Sequence, residues 1–192
     1  MRFPERWDLI DYLAAGTPRQ RSAHAALAEA GVMERLAPWR PVLAGTIPLG
    51  IDVEGSDLDI LCEVWEFEPF LERAREAFGH RPGFAVRRKE SGGLPVAVVR
   101  FEAGDFLVEL FAQPRPVFEQ NGYRHMVVEA RLLRLAGRAV AAEIRRLKAG
   151  GLKTEPAFAR CFGLPGDPYQ ALLALYEADE AVLQQIVAGR PR

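Results

Sequence analysis

The segment "GSDLDILCEV" constrains this chain more than any other, because two aspartates, Asp57 and Asp59, open an apolar run of strand-forming residues. Side chains alternate along a strand, so the two carboxylates share one face while Leu58 and Ile60 take the other. Like charges that close repel, and the arrangement becomes favourable only when a cation, a proton or an arginine neutralises them. The plainer reading has Asp57 capping the turn after "EGS" and Asp59 facing solvent.

A further carboxylate lies in "DFLVELFAQ", where Glu109 is bracketed by Val108 and Leu110. A charge in that setting is costly without a partner. Asp105 shares the strand face of Glu109 and competes with it for the same role; the apolar bracket favours Glu109. If all three carboxylates converge, repulsion should raise the pKa of at least one of them. Magnesium, which prefers hard oxygen ligands, is the natural cation to relieve it.

The surrounding pattern predicts an α+β fold. "RWDLIDYLAAG" and "PRQRSAHAALAEAGVMERLAPW" read as two opening helices, "RPVLAGT" as a short strand running into a turn, and "DLDILCEV" as a second strand. An amphipathic helix, "EFEPFLERAREAFG", precedes three strands, "FAVRRKE", "PVAVVRFE" and "DFLVELFAQ", joined by "SGGL" and "AG" turns. Everything after "PRPV" has helical periodicity, with one long final helix over "DPYQALLALYEADEAVLQQIVAG" capped by Asp167 and Pro168. The expected division is an α/β unit over 1–116, with a mixed β-sheet and flanking helices, and a C-terminal helical bundle over 117–192 packed on it.

Composition narrows the function classes. The chain has 25 lysines and arginines against 26 acidic residues, a net charge of -1, which gives no electrostatic case for duplex DNA or an anionic membrane. Two cysteines, one inside an apolar strand, argue against a disulfide scaffold or a zinc site. The N-terminus, charged throughout, is neither a signal peptide nor a spanning helix, so a cytoplasmic location is expected. No serine triad, Walker loop or dinucleotide fingerprint occurs.

"AGT", ten residues, "DLDI" and a later "VEL" together resemble the nucleotidyltransferase superfamily, the fold of DNA polymerase beta. More closely, "GTIPLGIDVEGSDLDILCEV" with "QNGYRHM" resembles a bacterial family catalogued as domain of unknown function 4269. The resemblance implies that Gly45 and Thr46 form the turn that holds a nucleoside triphosphate, and that Asp57, Asp59 and Glu109 bind two divalent metals, Mg2+ or Mn2+. It departs from the superfamily at Thr46, where glycine or serine is usual, and in the apolar loop "IPLGIDV".

Around this core, Ser56 either stabilises the turn or lies near a phosphate, and Gln120, Asn121, Arg124 and His125 either face the cleft or begin a solvated helix. Arg124 is the candidate nucleotide contact among them. Arg87, Arg88 and Lys89 read as a solvated strand. The expected activity is metal-dependent transfer of a nucleoside monophosphate from a nucleoside triphosphate to an acceptor hydroxyl on a small molecule, a protein or an RNA end. The other reading, motivated by the apolar loop, is a catalytically silent module that binds a nucleotide or partner protein.

Overall fold

The computed structural model describes residues 3, 4 and 6–191. Its centre is a five-stranded mixed sheet of β1 (Val42–Ala44), β2 (Leu58–Glu63), β3 (Ala85–Ser91), β4 (Leu94–Ala103) and β5 (Phe106–Gln113), in the spatial order β1-β2-β5-β4-β3. Only β2 and β5 pair in parallel, and every other neighbouring pair is antiparallel. Their connection runs through a helix and the β3–β4 hairpin, so β5 returns between strands that precede it.

The alternation read from the sequence divides this sheet into two faces. Leu58, Ile60 and Cys62 of β2 join Val108, Leu110 and Ala112 of β5 and Val99 and Phe101 of β4 in one core. That face is covered by α1 (Pro18–Ala30) and α4 (Phe67–Phe78), which contribute Ala23, Leu27, Phe70 and Phe78. Leu61 points the other way, into a second core built with α5 (Asn121–Ala136), α6 (Arg138–Ala149), α7 (Thr154–Phe162), α8 (Pro168–Ala174) and α9 (Glu180–Ala188). Among the described residues no helix is long and apolar enough to cross a membrane.

Three helical readings are corrected. The first opening helix is a 3-10 turn over Asp11–Ala15, ended at Gly16 and followed by a new N-cap, Thr17. The second divides at Gly31, whose left-handed φ of 62° ends α1 before α2 (Val32–Arg35). The long final helix divides because Asp179 accepts a hydrogen bond from Val182 N and starts α9 afresh. Asp167 and Pro168 do open α8, with Gln170 N donating to Asp167.

The apolar loop is also explained. Residues Thr46–Leu49 form a single helical turn, α3. Ile47 is buried in the first core, while Leu49 and Ile51 are buried in the second. Each such burial is worth about 1.5–3 kcal/mol, enough to hold a turn too short to persist alone. Gln20, itself 9% exposed, fixes the turn from α1: Nε2 donates to Ile47 O at 2.8 Å and Pro48 O at 3.2 Å, and Oε1 accepts from Thr17 N. Replacing Gln20 with Ala leaves these buried groups unpaired and is expected to cost about 1–3 kcal/mol in urea denaturation. A loss below about 0.5 kcal/mol would show that the turn does not depend on this clamp.

Candidate active site

Sheet register places the acidic residues. Parallel pairing sets Asp59 directly opposite Glu109, and antiparallel pairing sets Glu109 opposite Arg100. The three form a row across β2, β5 and β4, on the face turned away from the first core. Asp57 joins that row from the loop just before β2. Asp105 does not: it sits exposed in the β4–β5 turn, four residues from Glu109, or about 13 Å along an extended chain.

Gly45 lies against the row from β1. Its φ is 80°, and a Cβ there would stand 2.6 Å from Asp59 Oδ2, so both backbone conformation and space demand glycine. Thr46 opens α3 beside it. The Ser56 hydroxyl accepts from Val53 N at 2.9 Å while Ser56 N donates to Val53 O, closing the turn that delivers Asp57. Arg124 is placed elsewhere: its guanidinium lies 4.9 Å from the centre of the Tyr176 ring, outside the lining of the cleft.

These residues floor a cleft of about 650 Å³ between the sheet and the C-terminal helices. The opposing wall carries Gln120, Asn121, His125 and Glu129 of α5 and its cap, Lys148 of α6, Lys153 and Glu155 around the start of α7, and Tyr169 of α8. Gln120 is fixed by donating from Nε2 to Cys62 O and Arg115 O. His125 is held between Glu155 Oε1, 3.3 Å from Nδ1, and Tyr169 O, 3.1 Å from Nε2. Lys148 donates to Ile51 O at 3.0 Å and Arg145 to Gly50 O at 2.6 Å, so α6 grips the loop after α3.

Charge crowding shows in the proton affinities. Burial, with Asp57, Glu109 and Glu155 nearby, pushes Asp59 up to about 7, against the opposing pull of Arg100. Burial and Glu155 push Glu129 up to about 8. Burial also works against Glu155, but the hydrogen bond from His125 and its other partners hold it below its usual value. Burial lowers Lys148 in spite of four surrounding carboxylates.

Among the described residues, no three or more His, Cys, Asp or Glu side chains converge as a ready metal-ligand group. Glu109 is already engaged: Arg100 Nε and Nη2 both donate to its Oε2, at 2.7 and 2.5 Å. The donor chemistry nevertheless suits a hard divalent cation, which would relieve the repulsion that raises Asp59.

The model of the family described as "Domain of unknown function (DUF4269)" matches residues 25–175. This chain belongs to that family. No curated protein matches it. The solved GLD-2/RNP-8 complex aligns with a TM-score of 0.54 at 12% identity, covering 94% of this chain and 82% of that one. A mutant of the Cid1 poly(U) polymerase bound to MgATP aligns with a TM-score of 0.52 at 12% identity, over 85% of this chain and 53% of Cid1. Another Cid1 structure, described by its RNA terminal uridylyl transferase activity, gives 0.53 at 10% identity over 81% and 52%. The chain therefore spans about half the length of these Cid1 chains. At such identities the likeness shows the fold alone, which resembles that of the polymerase-beta-like nucleotidyltransferases.

Of the helical wall, the sequence offered Gln120, Asn121 and His125 as one of two readings, and the rest was not anticipated. Glu129 left a trace, since it shares an apolar helix stripe with Met126, Leu132 and Leu133. Glu155 reads as an ordinary acid in a first helical turn, and Lys148 as an ordinary base in a last one. Because folded Glu129 keeps its proton up to about pH 8 while the unfolded chain releases it near 4.5, stability falls as pH rises between those values. The slope is at most about 1.4 kcal/mol per pH unit. Glu129→Gln should remove this contribution and exceed the parent in stability at pH 8.5; parallel pH profiles for the two proteins would contradict it.

Proposed function

We propose that this protein is a metal-dependent nucleotidyltransferase that moves a nucleoside monophosphate from a nucleoside triphosphate to an acceptor hydroxyl, working in the cytoplasm. The observation that carries the reading is the Asp59–Glu109 register, with Asp57 beside it and the Gly45 backbone pressed on Asp59. Ion pairs or turn caps do not require that close backbone approach. The division proposed is a catalytic sheet unit over 1–116 and a helical unit over 117–192 that supplies the opposing cleft wall.

Bound Mg2+ or Mn2+ would neutralise developing phosphate charge and align the attacking and leaving oxygens. Asp57, Asp59 and Glu109 would hold it. The Gly45–Thr46 backbone meets phosphate oxygens, and Ser56 keeps Asp57 aimed at them. Lys148 and Lys153 face the triphosphate from the other wall. Glu109, on the central strand of the sheet, takes the proton of the acceptor hydroxyl. Arg124, engaged with Tyr176, has no part in this reading.

The burial of Ile47, Leu49 and Ile51 supports the enzyme over the silent module, because these apolar side chains serve the two cores and are not left exposed as a docking surface. An RNA end, a small molecule and a protein remain the acceptors to be tried. With Mg2+ or Mn2+ and each of the four nucleoside triphosphates, the parent is expected to release pyrophosphate on an acceptor panel. Asp57→Asn and Asp59→Asn should each lower that rate at least about a hundredfold. Nucleotide binding without pyrophosphate from any combination would replace the enzyme with a binding module.

A further inference from the structure

Arg100 takes no part in the reaction as proposed, yet it touches one of the three carboxylates directly. It is the cross-strand partner of Glu109, and two of its nitrogens converge on a single Glu109 oxygen. The two side chains differ in surroundings: that of Glu109 is 15% exposed and that of Arg100 is 53% exposed. The carboxylate is thus fixed by the sheet, while the guanidinium sits at the edge of the cleft with water on its outer side. An exposed partner of this kind is held weakly and can leave for solvent without a desolvation penalty.

Among the described residues, no other cation on this face of the sheet does the same. Arg87 and Lys89 share the face on β3, but Arg87 pairs across the strands with Val98, and Lys89 lies 5.5 Å from the centre of the Phe111 ring. On the opposite face Arg88 is bound to Glu68 of α4.

We infer that Arg100 is a positioning residue that acts as a latch: it occupies Glu109 in the metal-free protein and must swing out before Glu109 can join Asp57 and Asp59 around a divalent cation. The inference rests on the proposed metal site. It makes metal affinity depend on a competition between one guanidinium and one cation for the same carboxylate. The latch neutralises one member of an otherwise crowded acidic row, so the idle cleft is less repulsive. It also makes the third ligand available only when a cation is present to take it.

The test is Mn2+ binding by isothermal titration, with no nucleotide and no turnover. Arg100→Met should bind Mn2+ about two- to fivefold more tightly than the parent, the range expected for releasing one partly exposed ion pair. Arg100→Lys, which keeps the charge but not the two-nitrogen grip, should fall between them and stands in if the Met variant folds poorly. Arg87→Met removes a cation from the same face without freeing Glu109 and should change affinity less than twofold. In a Glu109→Gln background the gain from Arg100→Met should vanish. A gain that persists there, or equals that of Arg87→Met, would reduce Arg100 to a background charge and overturn the latch. No gain at all would do the same, while Mn2+ binding sensitive to Asp57→Asn still upheld the metal site. Absence of Mn2+ binding in every protein would remove the metal site and the latch together.

Discussion

The pairing of β2 with β5 is the constraint on which the rest of the structure depends. Both strands are buried on one face by Leu58, Ile60, Val108 and Leu110, and that packing fixes their register. A slip by one residue would turn these side chains into the cleft and the carboxylates into the core. With the register held, Asp59 and Glu109 have no choice but to stand side by side. The burial and charge crowding that raise the proton affinity of Asp59 are therefore by-products of hydrophobic packing on the other side of the same sheet.

The second core supplies what the sheet alone lacks. Leu61 and Val42 on the cleft side of the sheet pack with α5 and α6, and this seats the helices over only part of that face. The uncovered part leaves Arg100, Arg87 and Lys89 in solvent, and the boundary between covered and uncovered sheet is the cleft. The single turn of α3 is pinned across the two cores by Ile47 on one side and Leu49 and Ile51 on the other. From the helical side Arg145 and Lys148 hold the carbonyls that follow it. A turn so anchored keeps the Gly45 backbone beside Asp59 although Thr46 is its only polar side chain.

Much of this was legible in local pattern. Alternation put Asp57 and Asp59 on one face, and the apolar bracket around Glu109 marked it over Asp105, which the structure leaves in a hairpin turn. Register is a long-range property, so neither the opposition of Asp59 to Glu109 nor that of Glu109 to Arg100 was readable. The same limit hid Glu155 and Lys148, whose place in the cleft follows from helix packing and not from spacing. Arg124 shows the converse error. It lies one residue from His125, yet a turn of about 100° per residue carries it away from the cleft to Tyr176. Helix boundaries failed where caps intervened, at Gly31 and Asp179, because apolar periodicity runs on across a cap while the helical backbone does not.

The central claim is that the acidic row and the Gly45 turn form one metal-nucleotide site. It is tested most directly by a crystal structure of the protein with Mn2+ and a non-hydrolysable nucleoside triphosphate analogue, using anomalous scattering to locate the metal. The account predicts manganese between Asp57 and Asp59 at about 2.1 Å from their oxygens, with phosphate oxygens along the Gly45–Thr46 backbone. Nucleotide bound away from this turn, or manganese bound without either aspartate, would contradict it.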